Sequence, residues 1–324
     1  MSRIKYRKRS LLEDVLFLTS VVFVAYYYSF IDSVGYLSDK YVYSIYFDKL
    51  NGISDQYEVG FEILSWLLKS IYNSHDLFFF ICSIIILSNL AFAAKLLVGS
   101  NKAVYLLFAV MTPFVSSLID NVIRQGLSLS FVLVFFALYK RRGKYKFYYF
   151  AISLIIGSGF HLPTGILMSF IFFATSNLNY GIIVWLLCAI LSYFSSTYQG
   201  LFSSIISDRY TAYLDASVDY ETGFKLKFVI FSLLPIVLFP IIKTPSLKYL
   251  TNFLAKYFFI NGVFLLFNFL NYYDRFLLNT WILIPMILSG AVKGITYKPS
   301  ATVRVYVIFV IGIFGIVSVI LSVF

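Results

Sequence analysis

Eleven apolar runs follow one another along a chain of 324 residues, and only short polar gaps separate most of them. They fall roughly at 11–31, 76–95, 103–119, 122–139, 146–160, 162–176, 181–196, 226–242, 253–270, 276–292 and 304–323. Inside a bilayer the backbone N–H and C=O groups have no water to bond, so only helices and closed barrels cross it. A barrel reads as short segments of alternating hydrophobicity, and no such pattern dominates here. The expected fold is all-α, a single polytopic membrane domain over residues 1–324 with about eleven transmembrane helices. The chain is 60% hydrophobic and 13% charged, whereas soluble chains carry about 25% charged residues. A basic N-terminus leads into the first run without a small-residue cleavage pattern, so that helix is expected to remain as an anchor.

A full crossing needs about 20 apolar residues. The fourth to seventh runs are shorter, so their connecting turns are expected to sit recessed within the membrane depth. Irregular backbone is tolerated there only when protein buries it or water lines it. The turns at Arg124 and His161 are of this kind.

Lys and Arg set the orientation. Arg3, Lys5, Arg7, Lys8 and Arg9 precede the first run; Lys140, Arg141, Arg142, Lys144 and Lys146 follow the fourth. Lys243, Lys248 and Lys256 follow the eighth, and Lys293, Lys298 and Arg304 precede the last. With alternating spans all four groups lie on the cytoplasmic side. They also account for most of the net charge of +11, so the positive balance calls for no nucleic-acid partner. Most acidic residues then fall outside, largely in two outer loops, 32–75 and 197–225. In the first loop, Phe61, Leu64 and Leu68 share one helical face with Glu62 and Ser65 off it, the pattern of a helix lying in the interface.

Cys82 and Cys188 sit deep in apolar runs, which excludes a disulfide framework and leaves them to lipid or core packing. Two histidines and no C-x-x-C pattern give no zinc site. No P-loop or G-x-G-x-x-G occurs, so no nucleotide cofactor is expected. G-x-S-x-G is also absent.

Five polar clusters remain, all on the outer side. They are Asp55–Tyr57–Glu58, Asp120 with Arg124–Gln125, His161, Asp208–Arg209–Tyr210 and Asp274–Arg275. Arg124, Arg209 and Arg275 are the outer arginines, and guanidinium grips phosphate through paired planar hydrogen bonds. Together they suit a diphosphate. The competing reading pairs each with its neighbouring acid, Asp120, Asp208 or Asp274. His161, in Gly157-Ser158-Gly159-Phe160-His161-Leu162-Pro163, is either a proton-transfer group or a cap for the helix opening at Pro163. Glu58 is either a base towards a sugar hydroxyl or a solvated loop acid. His75, the other histidine, lies at an expected membrane boundary and reads as structural.

The order of these motifs resembles the EpsG family of Wzy-like bacterial polysaccharide polymerases. Tyr57-Glu58-Val59-Gly60-Phe61 resembles its Y-E-x-G-F element. Arg124-Gln125-Gly126 is similar to its R-Q-(G/A) helix opening and Phe160-His161 to its F-H element. Arg209-Tyr210 with Tyr213-Leu214 is similar to R-Y-x-x-Y-L, and Arg275-Phe276 to a late arginine. The set runs from about residue 40 to 290. One departure is the G-T-D-like element after the first span, matched loosely by Gly35-Tyr36-Leu37-Ser38-Asp39 and without the family's early arginine.

The resemblance implies polymerisation of undecaprenyl-diphosphate-linked oligosaccharide units on the outer face of the bacterial cytoplasmic membrane, for O-antigen, capsule or exopolysaccharide. Donor and acceptor units are then the substrates, and a chain-length regulator is a further partner. The activated donor makes a metal or nucleotide unnecessary. On this reading Arg124, Arg209 and Arg275 bind diphosphate. His161 or Glu58 serves the acceptor hydroxyl, with a slight preference for His161. Asp55, Tyr57, Gln125, Tyr210 and Tyr213 contact substrate. A flippase for the same lipid-linked glycan would use the arginines similarly but would favour midplane charges and repeated halves. A membrane acyltransferase would need an acyl-donor route.

Overall fold

A computed structural model describes residues 2–31, 38–194, 222–242, 247–296 and 301–323. All regular structure among them is helical. Four helical stretches are apolar and long enough to cross a membrane: Glu13–Ile31, His75–Leu97, Ile123–Arg142 and Tyr273–Gly294. A bent pair adds a fifth if it counts as one span. The other apolar runs are helical too but shorter, such as Lys146–Phe160, Leu162–Phe172 and Leu178–Tyr193. The chain divides into two compact units, residues 1–172 with 288–293 and 321–324, and residues 173–287 with 294–320.

The first unit opens with α1 (Ser2–Tyr26), continued by a π turn over Tyr27–Ile31. Two helices of the outer loop follow, α2 (Asp39–Lys49) and α3 (Val59–Ile71), and then α4 (His75–Leu97). Ser38 starts α2 by accepting from the Tyr41 N–H, and Ser74 starts α4 by accepting from the Leu77 N–H; each side chain satisfies a backbone donor that the first turn leaves open. The run at 103–119, expected as one span, is broken into α5 (Lys102–Val110) and α6 (Pro113–Ser116), bent by 87°. Pro113 explains the break: it has no N–H to give and holds Thr112 extended (φ −113°, ψ 139°). A second π turn over Ser117–Asn121 leads into α7 (Ile123–Arg142). That helix ends with Lys140, Arg141 and Arg142 in its last turn and Gly143 left-handed at φ 66°, the usual helix stop. α8 (Lys146–Phe160) and α9 (Leu162–Ser169) form a tight hairpin at His161.

The two π turns are tied through α2. Lys40, 1% exposed, pairs with Asp120 Oδ1 at 3.0 Å and donates to the Tyr28 carbonyl. Asn121 Oδ1 accepts from the Asp39 N–H at 3.0 Å. Asp120 was the expected neighbour of Arg124; it serves Lys40 instead, because the π turn aims it at α2. Removing one partner of a buried ion pair strands the other, which costs about 3–5 kcal/mol. Lys40→Ala is therefore expected to lower the thermal midpoint of the purified protein far more than the exposed-site variant Lys144→Ala.

In the second unit, helix Leu178–Tyr193 packs along Thr251–Leu265. A buried polar chain joins them to their neighbours: Trp185 donates to Asn261, and Asn261 to Thr280, each at 2.7 Å. Trp281 and Tyr257 donate to Ser232 at 2.9 and 2.8 Å. Such bonds hold helices together where apolar contact alone gives little preference. Lys256, counted above among cytoplasmic loop charges, lies inside helix Thr251–Leu265, 3% exposed, and donates to the Ala174 carbonyl. Cys82 and Cys188 are buried thiols, which settles them as core packing.

Candidate functional site

The loop between α2 and α3 folds around one carboxylate. Glu62 has no exposed surface. Its Oε2 accepts from the Tyr46 hydroxyl (2.5 Å) and the Ser54 N–H (3.1 Å). Its Oε1 accepts from the Ser54 hydroxyl (2.7 Å) and the Tyr57 N–H (2.9 Å). Burial works against the charged form, but the Tyr46 and Ser54 bonds outweigh it and hold the carboxyl below its usual range. The expected polarity of α3 is thus corrected: Phe61, Glu62 and Ser65 are its buried face, while Leu64 and Leu68 are only half-buried. Val59, Ile63, Trp66, Leu67 and Ile71 stand exposed along the other side. The loop's own donors have drawn Glu62 inward.

This folding presents Tyr57 and Glu58 to α7. Glu58 precedes the first turn of α3, and its Oε2 accepts from Arg124 Nη1 at 2.5 Å, across 66 residues of sequence. The pair is mostly enclosed, with side-chain exposures of 21% for Arg124 and 9% for Glu58. Arg124 Nε donates to the Tyr43 hydroxyl at 3.0 Å. The guanidinium lies 4.4 Å from the Tyr57 ring centre and 5.5 Å from that of Tyr43, so aromatic faces flank the charge. Arg has five N–H donors, and among the described residues only two are taken. Burial pushes the Tyr43 hydroxyl up to about 12 despite the nearby Arg124, so it stays protonated. Burial also opposes ionisation of Glu58, but Arg124 first and then His161 hold its carboxyl below the ordinary range.

A depressed folded-state pKa gives stability that is present above the unfolded-state value and lost as pH falls through the folded one. Glu58 and Glu62 both have this sign. Acidifying the purified protein from about pH 7 to about pH 3 is expected to lower its thermal midpoint, with a smaller drop in Glu62→Gln.

His161 ends α8 and caps α9. Its Nδ1 accepts from the Thr164 N–H at 3.3 Å and lies 2.9 Å from Thr164 Oγ1. A backbone N–H can only donate, so Nδ1 is the acceptor, and the neutral ring carries its proton on Nε2. The next residue, Leu162, donates its N–H to Glu58 Oε1 at 3.2 Å. Glu58 therefore bridges Arg124 and the His161 turn. The close approach needs glycine: a Cβ on Gly60 would meet the Gly159 carbonyl oxygen at 2.7 Å, and one on Gly165 would meet Ser158 N at 2.1 Å. Gly60→Ala is expected to push α3 off α8 and break the Leu162–Glu58 bond, seen as faster amide exchange at Leu162.

Three separate sequence motifs, at 57–61, 124–126 and 160–161, thus meet at one point. A model of the EpsG family matches residues 14–324. The chain belongs to the EpsG family. No curated protein and no solved structure matches it.

Asp55 is exposed on the loop, and Gln125 is buried at 3% exposure on the inward side of α7. Arg275 lies in the second unit, in helix Tyr273–Trp281, with its guanidinium 4.8 Å from the Tyr272 ring centre. Arg209, Tyr210 and Tyr213, with Asp208, lie outside the described residues. Sequence reading missed Tyr43, Glu62 and Lys40. Tyr43 offered a weak signal, standing amid the tyrosines of 41–46, but nothing marked it as the partner of Arg124. His75 pairs with Asp48 at 3.0 Å at the start of α4, in keeping with a structural role.

Proposed function

We propose that this chain is a surface-polysaccharide polymerase, a membrane glycosyltransferase joining undecaprenyl-diphosphate-linked oligosaccharide units on the outer face of the cytoplasmic membrane. The observation that carries the reading is the mostly enclosed Glu58–Arg124 pair beside the His161 turn, which joins the family's dispersed motifs. The acceptor hydroxyl loses its proton and its oxygen attacks the anomeric carbon of the donor. The bond from that carbon to the diphosphate breaks, and the diphosphate leaves with the electron pair. Direct attack inverts the anomeric centre. Arg124 neutralises the departing charge through its remaining donors, and Arg209 and Arg275 are assigned the same task.

The cap geometry favours Glu58 over His161 as the base. His161 uses Nδ1 for Thr164, so its Nε2–H is a donor suited to substrate oxygen. Glu58 is a weak base while Arg124 holds it. An arriving diphosphate competes for Arg124, and a released Glu58 carboxylate gains basicity next to the acceptor. The exposed apolar stripe of α3 suits contact with lipid, giving the carrier's tail a sideways approach.

The test is the glycan ladder of cells with and without this chain. Loss of chains beyond one repeat, with single lipid-linked units accumulating outside, is expected. Accumulation of those units on the inner face would instead assign a flippase.

A further inference from the structure

Next to the Glu58–Arg124 pair, an open groove of about 560 Å³ runs between α2 and the loop that follows it. Its size falls within the range of about 300–1,000 Å³ typical of small-molecule sites. Tyr41 and Tyr46 supply aromatic surface, and Lys49, Asn51, Ser54 and Gln56 supply polar groups. Val42 and Ile53, both exposed, add apolar surface at the groove. Resting on the polymerase reading above, we propose that this groove is a glycan subsite, holding sugar rings of the acceptor chain behind the residue that reacts.

The lining selects a glycan over a lipid tail, and two further observations align it with the candidate site. The lining alternates aromatic and apolar surface with amide, hydroxyl and ammonium groups, which matches a pyranose: C–H faces for the rings and hydroxyls for the polar groups. A tail would displace water from the exposed Lys49 and Asn51 side chains without replacing its hydrogen bonds. The groove also shares a wall with the candidate site. The Tyr46 ring lies 4.7 Å from that of Tyr57, whose other neighbour is the Arg124 guanidinium at 4.4 Å. Finally, Glu62 bonds to Tyr46 and Ser54 on the groove side and to the Tyr57 N–H on the site side. A chain seated in the groove is thereby aligned with Glu58.

The experiment uses the full chain in lipid nanodiscs. The probe is free oligosaccharide repeat released by mild acid from the surface glycan of the source cell, titrated by saturation-transfer NMR. Wild type and the exposed-site variant Lys144→Ala should bind alike, and Tyr41→Ala with Asn51→Ala should bind about ten-fold more weakly. The single variant Asn51→Ala, at an exposed position, guards against misfolding of the double variant and should weaken binding in the same direction. Equal binding by wild type and both groove variants overturns the subsite. So does competition for the groove by polyprenyl phosphate carrying no sugar. Groove-dependent sugar binding by a wild-type protein that polymerises nothing refutes the polymerase reading alone. Polymerisation without groove binding refutes the subsite alone.

Discussion

Arg124→Ala is expected to reduce formation of glycan longer than one repeat by about 10²–10³-fold, the usual loss when a charge-stabilising donor is removed. Glu58→Gln is expected to reduce it by about 10²–10⁴-fold, the range for the general base that Glu58 is proposed to be. Glu58→Gln separates chemistry from folding, whereas Arg124→Ala leaves the enclosed Glu58 carboxylate unpaired. Glu58→Ala strands the Arg124 charge and costs about 3–5 kcal/mol of stability, so a loss of activity there is ambiguous. Glu58→Gln removes the charge and the basicity and keeps one carbonyl acceptor, which serves Arg124 Nη1 while the NH2 turns towards the Leu162 N–H. Arg124→Lys keeps a charge but not the planar fork that reaches Glu58 and Tyr43 together, so partial activity is expected. The check is membrane insertion and thermal midpoint measured beside glycan length, with Glu58→Gln folded and inactive.

Glu62→Ala is expected to disable the same reaction without touching substrate. Four donors converge on this carboxylate, and two are backbone N–H groups that cannot reverse their role. Each buried donor left unmet costs about 1–3 kcal/mol, so the loop opens locally to find water. Amide exchange at Ser54 and Tyr57 should then rise by about ten-fold or more, one factor of ten per 1.4 kcal/mol. Glu62→Gln is a sharper probe. Each oxygen of Glu62 receives one backbone N–H, so a side-chain amide must turn its NH2 towards one of them. Glutamine is expected to restore half the loop and little of the activity. Slow, wild-type exchange at both amides in Glu62→Gln would contradict this account of the loop.

The helical architecture was legible because apolar run length is a direct consequence of solvation: each of the eleven runs contains helix among its described residues. How a run bends was less legible. Pro113 marks where the run breaks, but local sequence gives no measure of the 87° bend between its two pieces. The candidate site was legible in its residues and not in its pairing. Glu58, Arg124 and His161 stood out because polar groups are scarce in such a chain. Proximity in sequence then suggested Asp120 as the partner of Arg124, whereas tertiary folding delivers Glu58 from 66 residues away. Glu62 was hidden for a related reason. Helical periodicity assigns a carboxylate to the wet face, and only a loop folding back over it makes the buried position favourable. Lys40 was equally silent, since nothing local identifies a lysine whose partners lie on two separate π turns.

The most direct test of the central claim is reconstitution of the purified chain in liposomes with lipid-linked single repeat units, with product length read on a gel. Wild type should convert single units into a ladder without added nucleotide, and Arg124→Ala and Glu58→Gln should leave them as single units. A ladder of undiminished length from both variants, or movement of unchanged single units across the bilayer without any joining, would contradict the account.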